Sequence, residues 1–282
     1  MISLPAPAKL NLFLHVTGRR SDGYHLLQTV FQFLDYGDEI TFEPRSDGRI
    51  RHLSPLPGVA EERDLILRAA RLLQRHCGVS RGVDIRLEKR LPMGGGLGGG
   101  SSDAATTLLA LNHLWRTGLD RERLSALGLS LGADVPIFIH GHAAWAEGIG
   151  ERFQAVELPE PWFLVIVPPV SVSTAEIFSA ADLIRDAQPI TIRAFLAGEG
   201  VNTLEPVVTS RYPEVAEALA WLGRYGQARM TGSGGCVFAP FEEEAVARRL
   251  LRELPREWRG FVARGRNRSP LLERLQTLGV VR

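Results

Sequence analysis

Residues 92–108 are the stretch of this chain whose residue types and spacing most clearly suggest chemistry. They read Pro-Met-Gly-Gly-Gly-Leu-Gly-Gly-Gly-Ser-Ser-Asp-Ala-Ala-Thr-Thr-Leu. Gly94 to Gly100 contains six glycines and only Leu97 besides, and glycine lets the backbone adopt positive φ and turn its N–H groups toward a ligand. Ser101, Ser102 and Asp103 are good first-turn or N-cap residues of a helix, whose N-terminus carries about half a positive charge. The stretch therefore predicts a phosphate-binding loop.

Three glycines of this loop also satisfy G-x-G-x-x-G, which alone is a weak signal. A dinucleotide site needs an acidic residue after the next strand, whereas Asp120 and Glu122 follow a helical pattern. A Walker A loop needs Lys after its last glycine, and Ser101 stands there. The H-R-D and D-F-G triplets of protein kinases are absent from the sequence. A flexible turn without a ligand remains an alternative, although a turn needs only one or two glycines.

Lysine is almost absent from this chain, which makes the lysine at position 9 informative. Of 33 basic residues, only Lys9 and Lys89 are lysine. Retention of Lys9 indicates a need for a compact ammonium that a planar guanidinium would not replace, and chance retention at the surface is the alternative. Asp134 precedes Val135 and Pro136, a pattern that by itself favours the cap of a short helix.

The glycine loop must be held between a strand and a helix. Apolar residues alternate with charged ones over 83–88, which predicts a strand, and apolar residues at helical spacing over 104–115 predict a helix. Residues 5–16 read as a strand that places Lys9 and Asn11 on one face. Residues 24–34 read as its returning partner after the turn at Ser21-Asp22-Gly23.

Further elements follow from the same periodicities. Asp47-Gly48 predicts a hairpin between residues 39–44 and 50–53. Helices are predicted over 64–77, 120–131, 173–184, 189–200, 213–225 and 242–254, and strands over 143–147, 162–167, 236–239 and 261–264. A polar linker at 157–160 suggests a domain boundary near residue 156. A second glycine loop at 228–235 is either a hairpin turn or a second contact to phosphate, and Arg264, Arg266 and Arg268 form a basic rim typical of a solvated face.

Composition limits the classes of function. The net charge of +1 gives no reason to expect nucleic acid as the main partner. Cys77 and Cys236 match no metal or redox spacing. The N-terminus lacks a basic signal-peptide region, and the longest strongly apolar tract, 163–169, is too short to span a bilayer. We expect a cytoplasmic protein, monomer or homodimer, that acts on a small molecule and binds neither nucleic acid nor membrane.

Three segments, 7–14, 92–104 and 231–238, resemble in order and spacing the three motifs of the GHMP kinases, the superfamily of galactokinase, homoserine kinase, mevalonate kinase and phosphomevalonate kinase. The resemblance implies a two-domain α+β fold. Residues 1–156 would form a ribosomal-S5-domain-2-like ATP-binding domain and residues 157–282 a ferredoxin-like domain. The substrate would lie in the cleft between them.

Within that superfamily, Gly-Tyr-His at 23–25 and Leu-Gly-Ala-Asp-Val-Pro at 131–136 look most like the members that act on a methylerythritol linked to cytidine diphosphate. The resemblance implies ATP-dependent phosphorylation of the 2-hydroxyl, giving the 2-phosphate and ADP, in the non-mevalonate route to isoprenoid precursors. ATP would be the co-substrate, with Mg²⁺ bridging phosphate oxygens through ligands that the sequence does not identify. A mevalonate or homoserine kinase, or a non-catalytic nucleotide sensor on the same fold, are the alternatives.

The same resemblance implies roles for individual residues. Asp134 would accept the hydroxyl proton while Lys9 keeps it ionised and steadies charge on the attacking oxygen. Tyr24 and Phe178 would enclose the cytosine and His25 would read its edge. ATP would be bound by Pro92, Met93, Gly94, Gly95, Gly96, Leu97, Gly98, Gly99, Gly100, Ser101 and Ser102. The substrate would be bound by Asn11, Tyr24, His25, Phe178, Gly232, Ser233 and Gly234.

One residue departs from the pattern of the family. Asp64 stands where the family usually has an Asn that contacts adenine. A carboxylate lacks the amide donor of Asn, so Asp64 is not assigned to the site.

Overall fold

The computed structural model describes residues 1–279 as an α+β fold. Its strands are β1 (Ile2–Arg19), β2 (His25–Arg45), β3 (Ile50–His52), β4 (Gly82–Glu88), β5 (Ala144–Glu147), β6 (Arg152–Ala155), β7 (Trp162–Val167), β8 (Arg229–Met230), β9 (Val237–Phe241) and β10 (Arg259–Arg266). Its α-helices are α1 (Leu65–Cys77), α2 (Gly99–Trp115), α3 (Arg121–Leu129), α4 (Val135–His140), α5 (Thr174–Ser179), α6 (Ile192–Leu196), α7 (Glu205–Arg211), α8 (Pro213–Leu222), α9 (Glu244–Arg252) and α10 (Pro270–Thr277).

A single hydrogen-bonded sheet runs through the two halves of the chain in the order β3-β4-β2-β10-β7-β9-β8. The 21-residue strand β2 is its hub, because it pairs with β1, β4, β5 and β10. Its middle is buried on both faces, from Gln28 to Leu34, as a strand with partners on several sides requires. The expected strands at 5–16 and 24–34 are confirmed, and both extend further than their patterns indicated.

The predicted hairpin between residues 39–44 and 50–53 is wrong. Strand β3 pairs in parallel with β4, and β4 pairs antiparallel with β2, so β4 lies between them. The Asp47-Gly48 turn does form, with Gly48 at φ +71°. However, β4 is the more apolar strand and takes the inner position, where Val83 and Ile85 are fully buried. Asp84 on β4 then accepts hydrogen bonds from Arg45 and Arg51, which fixes this arrangement.

The helices on each side of the glycine loop form largely as their patterns predict. Helix α1 begins after Asp64, whose side chain accepts from the N–H groups of Ile66 and Leu67, and it ends at Gly78 at φ +61°. Helix α2 begins within the glycines themselves, at Gly99, and is buried over most of its length. Helices α7 and α10 and strand β6 are additional to the prediction.

Two main hydrophobic cores draw mostly on opposite sides of the predicted boundary near residue 156, although Leu14 and Val16 of β1 belong to the second. The first packs α1, α2 and α4 against β2 and β4, around large side chains such as Phe42 and Trp115. The second surrounds β7 and β9 together with α8. Leu271 and Leu275 of α10 pack into the first core, so the end of the chain returns to the first half. The boundary itself stays a prediction.

Among residues 1–279, none of the helices has the length and apolar character needed to cross a bilayer.

Candidate active site

A cavity of about 830 Å³ lies beside the glycine loop and receives side chains from both halves of the chain. Most of the residues that the sequence singles out line it. They are Lys9, Asn11, Tyr24, His25, residues 92–101, Asp134, Phe178, Gly232 and Ser233. Lys9 and Ser233, which are 224 residues apart in sequence, therefore line the same cavity.

Lys9 and Asp134 form an ion pair in this cavity. Strand β1 carries Lys9, and the segment that leads into α4 carries Asp134. The ammonium Nζ lies 3.3 Å from Asp134 Oδ2, and the side chains are 3% and 38% exposed. The lysine is therefore held inside the protein while the carboxylate faces the open space. Asp134 occupies the N-cap position of α4, yet its side chain makes no capping hydrogen bond, so a structural cap does not consume this carboxylate.

Lys9 is oriented by two further acceptors. Its Nζ donates to Asn11 Oδ1 at 2.5 Å and to the carbonyl of Gly96 at 3.1 Å. Asn11 is in turn fixed, because its Nδ2 donates to Thr29 Oγ1 and its backbone N–H donates to Thr231 Oγ1, both at 2.9 Å. A buried ammonium needs such partners, because burying an unpaired charge costs several kcal/mol. The arrangement presents one fixed cation at the cavity wall.

The glycine loop reaches its shape through alternating left-handed residues. Gly94, Gly96 and Gly98 have φ of +70°, +75° and +74°, a region that side-chain-bearing residues rarely adopt. A Cβ on Gly96 would stand 2.1 Å from the carbonyl oxygen of Thr231, and Cys236 N donates to the carbonyl of Gly95. The second glycine loop, 228–235, therefore packs directly against the first and supports it.

The first turn of α2 opens toward the cavity. Gly98 is its N-cap, and within the described residues no side chain caps this helix. Backbone N–H groups at an uncapped helix N-terminus bind anions well, because they are unsatisfied and carry the positive end of the dipole. Gly99, Gly100 and Ser101 line the cavity at this point.

Two of the expected site residues are not brought to the cavity wall. The side chain of Ser102 is fully buried, and its Oγ has no hydrogen-bond partner among residues 1–279. Gly234 packs against Val172, since a Cβ there would lie 2.4 Å from Val172 Cβ. That Ser102 binds ATP and that Gly234 binds the substrate stay predictions, and either residue would have to bind through its backbone.

A buried ionic cluster lies under the glycine loop, and sequence reasoning missed it. Lys89 Nζ lies 2.6 Å from Asp38 and 2.9 Å from Asp103. Asp38 also accepts from the backbone N–H groups of Arg90 and Leu91. Burial and the neighbouring Asp38 outweigh the Lys89 charge and raise the pKa of Asp103 to about 7. The rarity of lysine in the chain was a signal that could have drawn attention to Lys89.

The far end of the cavity is aromatic. Tyr24 is 56% exposed at the start of β2, and the rings of His25 and Phe178 lie 5.0 Å apart at an angle of 39°. Phe178 lies on α5, whose first residue Thr174 shares a 2.6 Å hydrogen bond with Ser233. Burial first, then the charges of Arg185 and Arg19, lower the pKa of His25. A flat ring that enters here would meet aromatic surface and a neutral imidazole.

Asp64 lines the cavity, but its carboxylate is already engaged. One oxygen accepts from the N–H groups of Ile66 and Leu67, and the other lies 2.6 Å from His52 Nδ1. Burial alone would raise the pKa of Asp64, but these hydrogen bonds outweigh burial and lower it. This engagement agrees with leaving Asp64 out of the expected site.

The cavity offers few protein ligands for a metal ion. Residues 1–279 contain no cluster of three or more His, Cys, Asp or Glu side chains able to hold one. Mg²⁺ commonly binds through one or two carboxylates together with substrate phosphates and water. The Ser101 hydroxyl, at the cavity beside the uncapped helix end, would fit that mode of binding together with the phosphates of a bound substrate.

Comparisons with known proteins agree with these features. The family model described as the GHMP kinases N terminal domain matches residues 64–142, and the model for the GHMP kinases C terminal domain matches residues 180–260. A protein of Nitrosococcus oceani named 4-diphosphocytidyl-2-C-methyl-D-erythritol kinase is 60% identical over 279 residues, which cover 99% of this chain and 100% of that protein. A protein of the same name from Halorhodospira halophila is 59% identical over 95% of this chain and 94% of its own.

Solved structures give the same picture. A crystal structure titled 4-(cytidine 5'-diphospho)-2C-methyl-D-erythritol kinase superposes with a TM-score of 0.82 at 37% identity, covering 94% of this chain and 99% of its own. A mevalonate kinase structure gives a TM-score of 0.68 at 16% identity, covering 95% of this chain and 100% of its own. The second match shows the shared fold alone.

Proposed function

The chain belongs to the GHMP kinases and, within them, to the 4-diphosphocytidyl-2-C-methyl-D-erythritol kinases, and from that premise we propose its reaction. It transfers the terminal phosphoryl group of ATP to the 2-hydroxyl of 4-diphosphocytidyl-2-C-methyl-D-erythritol. The products are the 2-phosphate and ADP, in the non-mevalonate route to isoprenoid precursors. The observation that supports this most directly is the 3.3 Å pair of Lys9 and Asp134 beside the glycine loop.

Asp134 is the proton acceptor. Its carboxylate is the exposed member of the pair and makes no capping bond, so a hydroxyl in the cavity can donate a hydrogen bond to it. The fixed ammonium of Lys9 lies against this carboxylate and also faces the negative charge that develops on the attacking oxygen. Asn11 and the carbonyl of Gly96 hold Lys9 in that orientation.

The glycine loop and the first turn of α2 bind the phosphates of ATP. Left-handed Gly94, Gly96 and Gly98 shape the loop, and the backbone N–H groups at the start of α2 supply uncapped donors. Because the transition state of phosphoryl transfer is loose, positioning and charge stabilisation provide most of the rate. Mg²⁺ would supply further charge neutralisation when bound, and the Ser101 hydroxyl is the side-chain group beside the uncapped helix end that would help to hold it.

The aromatic end of the cavity accepts the cytosine. Tyr24 and Phe178 provide ring faces, each typical stacking contact being worth about 1–3 kcal/mol per base. His25 provides the hydrogen bond to the edge of the base, since stacking alone discriminates poorly between bases. The partner is thus a small molecule. We further propose a cytoplasmic location and a monomer or homodimer.

Two substitutions test the catalytic pair. Asp134→Asn keeps the size of the side chain but removes the proton acceptor, and we expect kcat to fall about 10²–10⁴-fold. Lys9→Met removes the ammonium, and we expect a loss of about 10²–10³-fold. Binding of ATP, measured by calorimetry, should change little in either variant. The matched control is Asp120→Asn, because Asp120 caps α3 and Asn caps a helix equally well.

The choice of substrate needs its own assay. ATP consumption should depend on the cytidylyl substrate and should not occur with mevalonate or homoserine alone. Turnover of mevalonate would move the assignment to another branch of the superfamily. If Asp134→Asn turned over as fast as the unaltered protein, the proton would have to leave by a path that bypasses this carboxylate. If the unaltered protein bound ATP but phosphorylated none of these substrates, it would be a nucleotide sensor.

A further inference from the structure

Arg185 connects the two groups that would contact the base. It lies after α5 and is half-buried. Its Nε donates to His25 Nε2 at 3.2 Å, across 160 residues of sequence. Its Nη2 donates to the carbonyl oxygens of Phe178 at 3.1 Å and Ala180 at 2.6 Å. One guanidinium therefore spans the imidazole of His25 and the backbone that carries the Phe178 ring.

The Arg185 contact determines where the hydrogen on His25 resides. A guanidinium has five N–H donors, no acceptor, and stays charged in proteins. His25 Nε2 must then be the acceptor, so it carries no hydrogen, and a neutral imidazole must carry its hydrogen on Nδ1. An imidazolium would direct a second N–H at the guanidinium, which is unfavourable. Burial and the charges of Arg185 and Arg19 also lower the pKa of His25, in agreement with a neutral ring.

We infer that Arg185 is a positioning residue that fixes His25 as a neutral imidazole with its hydrogen on Nδ1, so that the cavity presents a donor to the edge of a pyrimidine. The identity of that pyrimidine rests on the proposed function. Cytosine presents acceptors at its ring nitrogen N3 and carbonyl O2, whereas uracil presents an N–H donor at N3. A fixed donor on His25 matches cytosine at N3 and opposes the uracil N–H. Arg185 thereby contributes to the choice of base without contacting it.

Arg185 also sets the distance between His25 and Phe178. The carbonyls that it binds belong to the end of α5 and the residue after it. Among residues 1–279, the only other contact found between this segment and His25 is the one between the rings of His25 and Phe178, 5.0 Å apart. Loss of the guanidinium should therefore loosen the ring spacing and free the imidazole to change its tautomer, two effects that act on binding of the base more than on the phosphoryl transfer step.

The tautomer can be measured without turnover. In protein labelled with ¹⁵N at histidine, long-range ¹⁵N–¹H correlation spectra report which ring nitrogen carries hydrogen. His25→Gln identifies the His25 signals among the seven histidines. We expect the unaltered protein to show Nδ1–H and a neutral ring near neutral pH. We expect Arg185→Met to lose this preference and to raise the pKa of His25, because the like charge is removed. Detection of Nε2–H, or of an imidazolium, in the unaltered protein would overturn the inference whether or not any variant folds.

Arg19→Gln is the matched control for charge. Arg19 also lowers the pKa of His25, but its Nε donates to the carbonyl of Gly23 and not to the imidazole. This variant should shift the titration of His25 and keep the hydrogen on Nδ1. If Arg19→Gln and Arg185→Met changed the tautomer equally, a general charge effect would replace the specific hydrogen bond.

Kinetics supply the functional readout. For Arg185→Met we expect KM for the cytidylyl substrate to rise about tenfold with kcat nearly unchanged, and preference over the uridylyl analogue to fall about tenfold. Arg185→Lys should recover part of the preference, because an ammonium can still donate to Nε2. An unchanged preference in Arg185→Met would refute the role in base choice. If the unaltered protein phosphorylates neither compound, the proposed function fails while the tautomer measurement stands on its own.

Discussion

Asp103 offers a prediction whose sign and size follow from the buried cluster under the glycine loop. Asp103 Oδ2 lies 2.9 Å from Lys89 Nζ, and its Oδ1 is buried with no hydrogen-bond partner among residues 1–279. Asp38 lies on the other side of the same ammonium and already neutralises it. Two carboxylates thus share one lysine in a buried space. Replacing Asp103 with Asn keeps the shape and one acceptor and removes the surplus charge.

The expected effect depends on pH. Burial raises the pKa of Asp103 from 3.8 in the unfolded chain to about 7 in the folded protein. The folded state therefore binds more protons between these values, so the free energy of unfolding falls as pH rises through this window. Each pH unit within the window costs about 1.4 kcal/mol, which amounts to about 3 kcal/mol at most between about pH 5 and about pH 8. Asp103→Asn has no such carboxyl, so its stability relative to the unaltered protein should increase over the same range.

Urea unfolding followed by circular dichroism at several pH values measures this difference. The control is Asp38→Asn, which should lower the free energy of unfolding, whereas Asp103→Asn should raise it relative to the unaltered protein. Asp38 accepts from Lys89 and from the backbone N–H groups of Arg90 and Leu91. A side-chain amide at that position would point its own N–H group at the ammonium or at one of the two backbone N–H groups. We therefore expect the free energy of unfolding to fall by about 3 kcal/mol or more at every pH. A constant effect of Asp103→Asn from pH 5 to pH 8 would mean that Asp103 is ionised throughout, and the reasoning would be refuted.

Two further predictions concern the cavity itself. Gly96→Ala should lower kcat/KM for ATP at least about 10²-fold, because φ is +75° and the added Cβ would stand 2.1 Å from the carbonyl of Thr231, which would displace the loop. Its control is Gly118→Ala, because Gly118 has a similar φ of +70° but open space around the added Cβ. This control should lose only about 1–2 kcal/mol of stability and keep its activity. Equal losses of activity in the two variants would count against the contact between the loops. Tyr24→Ala should raise KM for the cytidylyl substrate about tenfold, as expected for one lost stacking face, and should leave the thermal midpoint unchanged because Tyr24 is 56% exposed. A shift of the midpoint without a change of KM would assign Tyr24 a structural part instead.

Local sequence patterns were sufficient to predict much of this protein. The run Gly94 to Gly100 between a strand and a helix predicted a loop open to anions, since glycine freedom and helix dipoles are properties of a few neighbouring residues. The long strands and the helices over 64–77 and 104–115 followed from periodicity, because burying one face of an element requires its apolar spacing. The three motifs together identified the family, and the resemblance of the first motif and of residues 131–136 gave Lys9 and Asp134 as the expected catalytic pair.

The tertiary structure decided what depends on residues far apart in the chain. The turn at Asp47-Gly48 suggested a hairpin, but the more apolar strand β4 enters between the two segments, and no local signal reports that competition. Lys89 meets Asp38 across 51 residues, and Arg185 meets His25 across 160. A sequence indicates that a side chain is charged. Only the packed fold determines which charges become buried together, and burial is what raises the pKa of Asp103 and lowers the pKa of His25.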